Sequence, residues 1–98
     1  MKTGDVVKFR VLKKDFDAAV KSKDPAGARE CLFAQALRRQ FDSSATLGWI
    51  SVQIKDYSQG FALDSKATEM MQNFCDEDTR AMVRAKLPAT FTMTCSYA

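Results

Sequence analysis

The chain predicts an α+β fold: a two-layer sandwich in which one mainly antiparallel four-stranded sheet carries helices on a single face, in the order β-α-α-β-β-α-α-β. Three observations lead there. Residues Thr90 to Tyr97 alternate almost without fault, so Phe91, Met93, Cys95 and Tyr97 fall on one side of a strand and the threonines and Ser96 on the other. A second alternation near the start sets Val7, Phe9 and Val11 against Lys8 and Arg10. Between the strands, apolar residues recur at helical spacing. Strands with one apolar face and amphipathic helices pack as two layers, and the second sheet face is expected to stand open or to be covered by a partner.

Taken in order, the first strand fits Val6 to Leu12. A short helical stretch from Lys14 to Val20 follows, with Phe16, Ala19 and Val20 as its apolar side. Asp24-Pro25 reads as an N-cap and first helical residue, opening a helix that runs to Phe41 and buries Phe33, Ala34, Leu37 and Phe41. Gly27 weakens its first turn, which moves the regular part toward Cys31. Ser43-Ser44 breaks the pattern. The second strand then turns Ile50, Val52 and Ile54 one way and Trp49, Ser51, Gln53 and Lys55 the other. Asp56 to Gly60 reads as a hairpin turn, and a short third strand covers Gly60 to Leu63. Asp64 is the expected N-cap of a helix with Ala67, Met70, Met71 and Phe74 as its inner stripe. Asp76-Glu77-Asp78 favours a further helix start, with Met82 and Val83 inward and an Asp76–Arg80 pair one turn apart. Leu87-Pro88 releases the last strand. Strand order is not readable from this pattern; a ferredoxin-like order is one candidate.

The chain has 98 residues, so it is read as one domain, 1–98, that extends to its final strand. A chain of this length buries roughly 60–65% of its unfolded surface, enough for a core without metal or disulfide staples. Hydrophobic and charged contents of 46% and 28% exclude wholesale disorder. The longest central apolar run, Cys31 to Ala34, stops at Gln35, which is far too short for a membrane span. Residues Met1 to Asp5 lack the apolar core of a signal peptide, and the expected location is cytoplasmic.

Cys31, Cys75 and Cys95 are odd in number and widely spaced, which suggests neither a disulfide framework nor a zinc site. Histidine is absent, which removes the commonest general base, the commonest metal ligand and the usual partner of a Ser or Cys nucleophile. Neither a cofactor nor a metal is expected. The net charge of +3 is uneven: residues 1–50 hold ten Lys/Arg against six Asp/Glu, the remainder five against six. That balance is compatible with an acidic partner without requiring one.

Cys31, Ala34, Ala36 and Leu37, then Phe74, then Pro88 and Phe91 resemble a pattern in small proteins encoded by bacteriophages and prokaryotes. In those, a helix opens with Cys-Pro-x-Ala-x-Ala-Leu and the chain closes on a Pro-Phe-x-Phe-like strand. Leu32 stands where that pattern has proline. The resemblance implies the same order of elements and the setting of an accessory gene. It carries over no reaction.

Cys31 is the one residue with a reactivity argument, because a thiol at a helix start is acidified by the dipole and Arg29 stands close in sequence. Glu30 is adjacent and no histidine is present to act as base, so a buried core cysteine is the preferred reading. Asp76, Glu77 and Asp78 diverge around a helix start and read as a capping cluster rather than a metal site. The methionines read as core filler. Trp49 is different: with Ile50, Val52 and Ile54 inward, it shares the other face with Ser51 and Gln53, and Lys8 and Arg10 occupy that face of the first strand. Two placements of Trp49 stay open here: an anchor on an exposed recognition face, or a ring tucked under a loop or against the helix ends.

The candidate partner-binding residues are therefore Trp49, Lys8, Arg10, Ser51 and Gln53. The expected function is that of a small non-enzymatic protein that binds, and inhibits or modulates, a host protein. Phage or mobile-element origin, and an anti-defence role of the anti-CRISPR kind, follow from the resemblance alone. The alternative is a nucleic-acid-binding module that stacks a base on Trp49 and holds phosphates with Lys8, Arg10 and Lys13. No membrane partner is expected.

Overall fold

The protein is described by a computed structural model over residues 2–38, 42–46, 48–54 and 57–97, with the backbone alone at Asp42, Ile54, Tyr57 and Tyr97. Its elements are β1 (Val6–Val11), α1 (Lys13–Lys21), α2 (Leu32–Arg38), β2 (Asp42–Thr46), β3 (Trp49–Ile54), β4 (Tyr57–Leu63), α3 (Ser65–Cys75), α4 (Arg80–Ala85) and β5 (Ala89–Tyr97). The α+β class and the single sheet hold. Five strands replace the four expected, in the spatial order β1-β5-β4-β3-β2 with every pair antiparallel. That arrangement keeps β1 at an edge, whereas a ferredoxin-like order sets the first strand between the last and the third, so the sheet is not ferredoxin-like.

The additional strand is β2, where Ser43-Ser44 suggested a break. Asp-Ser-Ser-Ala-Thr is a poor strand by composition, but its backbone pairs along its whole length with β3, from Asp42↔Gln53 to Thr46↔Trp49. Gly48 takes the positive φ of 79° in the turn joining the two strands. The next strand also begins earlier than expected, at Tyr57, and Gln59 replaces an apolar residue at an inward position, fully buried opposite Val52. Helix α2 starts at Leu32, not at Pro25. The stretch from Asp24 folds into turns, with Gly27 N–H donating to Asp24 O at 2.9 Å and Cys31 N–H to Gly27 O at 3.0 Å. A Cβ on Gly27 would stand 2.8 Å from the Asp24 carboxylate and 3.0 Å from its carbonyl oxygen, so a side chain there would have to displace Asp24.

The core lies between the sheet and the helices. Phe9, Val11, Leu37, Ile50, Val52, Phe74, Phe91 and Met93 are buried as expected, which establishes the predicted register of β3. Phe41, Lys55 and Asp56 and the side chains of Ile54 and Tyr97 lie outside the described residues. Phe9, Phe33 and Phe91 join β1, α2 and β5, with ring centroids 5.5 to 6.0 Å apart. Phe16 and Phe74 meet edge-on at 5.6 Å and link α1 to α3. Five of the seven α2 residues are buried: Leu32, Phe33, Ala34, Ala36 and Leu37.

Three side chains depart from expectation. Val20 is 39% and Met82 63% exposed. A short helix directs about one position per turn inward, and Ala19 and Val83 take those places. Arg80 does not pair with Asp76. Its Nε donates to Phe74 O at 2.7 Å and its guanidinium lies 5.3 Å from the centre of the Phe74 ring, closing the C-terminal end of α3. Arg84 pairs instead with Asp17 across α4 and α1, at 2.9 and 3.2 Å.

Asp64 joins the two layers. Its Oδ1 accepts the Ala67 N–H at 2.7 Å as the N-cap of α3, and its Oδ2 accepts both the N–H and the hydroxyl of Thr92 on β5, each at 2.9 Å. Burial alone would raise this carboxyl. The donors of Thr92, Ala67 and Lys66 outweigh that effect and hold it below the ordinary carboxylate value.

Two outcomes follow. Leu37→Ala removes a side chain that is only 3% exposed and is expected to cost about 2–5 kcal/mol in urea unfolding. Because the Asp64 carboxyl is more acidic folded than unfolded, its contribution is complete above about pH 4 and disappears as the pH falls through the folded value. Between pH 7 and pH 3 the wild type is therefore expected to lose more stability than Asp64→Asn, measured by urea midpoints. Equal losses would show that another carboxylate, such as Asp17 beside Arg84, sets the acid response.

Candidate functional site

The helices cover one face of the sheet and the other is open. Across it the register sets parallel rows: Val6, Thr94, Ala62, Trp49 and Thr46 in one, and Gly60, Ser51 and Ser44 in the next. Lys8 and Arg10 stand opposite Thr92 and Thr90 on this same face. Lys8, Arg10 and Gln53 are exposed, whereas Trp49 and Ser51 are half-buried. Trp49 alternates with the buried Ile50, so its strand position belongs to the face away from the core, opposite Ala62.

All five candidate residues thus belong to one face, but they do not form one cluster. β5 and β4 separate β1 from β3, so Trp49 stands three strand spacings, roughly 14 Å, from the line of Lys8 and Arg10. Gln53 sits two residues beyond Ser51 toward the β3–β4 turn and pairs with Ser58, whose hydroxyl donates to its Oε1 at 2.7 Å. The face reads as a hydroxyl-rich surface with a half-buried indole toward one side and two cations at the other.

A concave feature that sequence reasoning did not signal lies between α3, α4 and the start of β5. It is a cavity of about 340 Å³ with Met70, Val83 and Phe91 in its wall and Lys66, Glu69 and Lys86 among its polar lining. Each of these charges, taken singly along the sequence, is an ordinary exposed helix residue.

Cys31 is fully buried, and its thiol points to the Ala45 carbonyl oxygen at 3.7 Å. Burial pushes the thiol above its ordinary value, against the amides of Ala34 and Phe33 that pull it down. Desolvation raises Cys75 as well, more than Arg80 lowers it. Neither thiol is an activated nucleophile. Among the described residues, no group of three His, Cys, Asp or Glu side chains is placed to hold a metal ion, and no helix is long and apolar enough to cross a membrane.

Replacing Cys31, Cys75 and Cys95 together by Ala is expected to lower thermal stability, because two of them are core residues. Partner binding should persist in the folded variant. A folded variant that has lost all binding would return the thiols to the site.

No family model, curated protein or solved structure matches the chain.

Proposed function

We propose that this is a small non-enzymatic binding protein that uses the open face of its sheet to hold another protein. The observation that carries the reading is the register across five strands. It brings Trp49, Ser51, Gln53, Lys8 and Arg10 to one uncovered surface, while the residue with the best case for chemistry, Cys31, is buried and less acidic than an ordinary thiol. A half-buried tryptophan surrounded by hydroxyls and peripheral cations has the composition of a recognition surface, with an aromatic anchor and charges that steer encounter. Inhibition or modulation of a host protein, in a cytoplasmic setting, is the fuller form of this reading. Its finest form, an anti-defence inhibitor of the anti-CRISPR kind carried by a phage or mobile element, rests on the sequence resemblance alone.

Single-stranded nucleic acid is the competing occupant, since Lys8 and Arg10 share the face with an aromatic platform. The wide separation of the indole from the cations and the net charge of only +3 favour protein.

Trp49→Ala is expected to weaken partner binding by about 2 kcal/mol or more, while Lys8→Glu with Arg10→Glu mainly slows association. Calorimetry and stopped-flow kinetics on a partner recovered by affinity capture measure the two effects. Sequence-independent oligonucleotide binding that falls steeply with salt would transfer the face to nucleic acid. A folded Trp49→Ala protein with unchanged affinity for both would end the proposal.

A further inference from the structure

The two edges of the sheet are not equivalent. On the β2 edge, the outward amide of Ala45 donates to Ala28 O at 2.7 Å and its carbonyl faces the Cys31 thiol at 3.7 Å, so the loop before α2 closes that edge. Among the described residues, the β1 edge carries no such cover. Cys95 N–H donates to Asp5 O at 2.8 Å, which fixes the phase of the antiparallel ladder. From there Val7, Phe9 and Val11 turn their backbone groups to β5, and Val6, Lys8 and Arg10 turn theirs outward. Among the described residues, no turn, loop or side-chain hydrogen bond reaches those outward groups of Val6, Lys8 and Arg10.

Native edges are blunted by brevity, proline, bulges or charge. β1 is six residues long, has no proline and pairs with β5 without a register shift. Only Lys8 and Arg10 guard it, beside a Val6 that is 62% exposed. Charge also selects the occupant. A second copy paired antiparallel along β1 would set Lys8 and Arg10 against their own counterparts on one face, and like charges directly opposite are destabilising. An incoming strand with carboxylates at those positions is favoured by the same geometry. Its intervening residues would lie on the core side, beside the half-buried Val7 and the Phe9 ring, where apolar side chains fit.

The geometry points to β1 as a strand-addition site for an extended acidic segment of a partner protein, alternating carboxylate and apolar side chains, that joins the sheet as a sixth strand. This deepens the protein-binding reading above and rests on it. The outward groups of Val6, Lys8 and Arg10 would supply up to about six backbone hydrogen bonds to residues directly opposite.

The test uses an eight-residue capped peptide alternating Val and Glu, with the intact protein followed by amide hydrogen exchange. Saturating peptide is expected to slow exchange at Val6, Lys8 and Arg10 at least ten-fold. The already paired Phe9 amide should change little. In the antiparallel arrangement the Glu residues stand opposite Lys8 and Arg10, so N-methylation of the Glu amides should abolish the effect, while N-methylation of the Val amides should leave it. A peptide alternating Val and Lys should not bind. Absence of slowing at millimolar peptide, equal slowing by the Glu-methylated or the Lys peptide, or slowing that rises with protein concentration alone would each overturn the proposal. The last would identify a second copy as the occupant. Trp49→Ala keeps the two readings separable: it tests the face and should leave the β1 exchange response intact.

Discussion

Helix α2 packs against both β1 and β2, the two outermost strands of the sheet. Five strands at ordinary spacing put the outer two roughly 19 Å apart, whereas a helix of seven residues is about 10 Å long. α2 therefore reaches both edges through its side chains and the twist of the strands, which is why Leu32, Phe33, Ala34, Ala36 and Leu37 are buried and Arg38 at its end is exposed. The helix layer fills one face of the sheet and leaves the other to a partner. A partner that fits the rows of Trp49 and the threonines must follow the twist of the strands.

Asp64 holds this arrangement in register at the centre. β4 is the middle strand and ends one residue before it, so the carboxylate sits where sheet becomes helix. One oxygen satisfies a donor that the helix start leaves open and the other continues the ladder to β5 with Thr92. The acidity of the group follows from this double duty, since protonation removes acceptors that two elements use together.

The parts of the fold visible in the sequence are those whose information is local. β5 alternates, α3 carries the stripe Ala67, Met70, Met71, Phe74, and Asp64 precedes it as a cap, so each was readable without reference to the rest. β2 was not, because one alanine among Asp, Ser, Ser and Thr carries no alternation; its extended form comes from pairing with β3 and from Ala28 across the edge. Asp24-Pro25 has the grammar of a helix start, yet the chain there spends its hydrogen bonds on turns around Gly27. At the candidate face, the two-residue period predicted which side chains share a surface. It carried nothing about strand order, so the distance between Trp49 and Lys8 had to await the topology. The same limit applies to Ser96, the extra residue between Cys95 opposite Phe61 and Tyr97 opposite Gly60, where the alternation loses its phase.

The pairing of β1 with β5 also has a kinetic meaning. Two residues separate β2 from β3 and two separate β3 from β4, so these strands meet after small loop closures, whereas Val6 and its partner Thr94 lie 88 residues apart. Closure entropy grows with loop length, and contacts of large sequence separation are assembled slowly. The β2–β3–β4 meander therefore carries a small closure cost and the β1–β5 pairing a large one. Without β5, the core residues Phe9 and Val11 lie on a strand that has no partner, and unpaired strands of that kind favour aggregation.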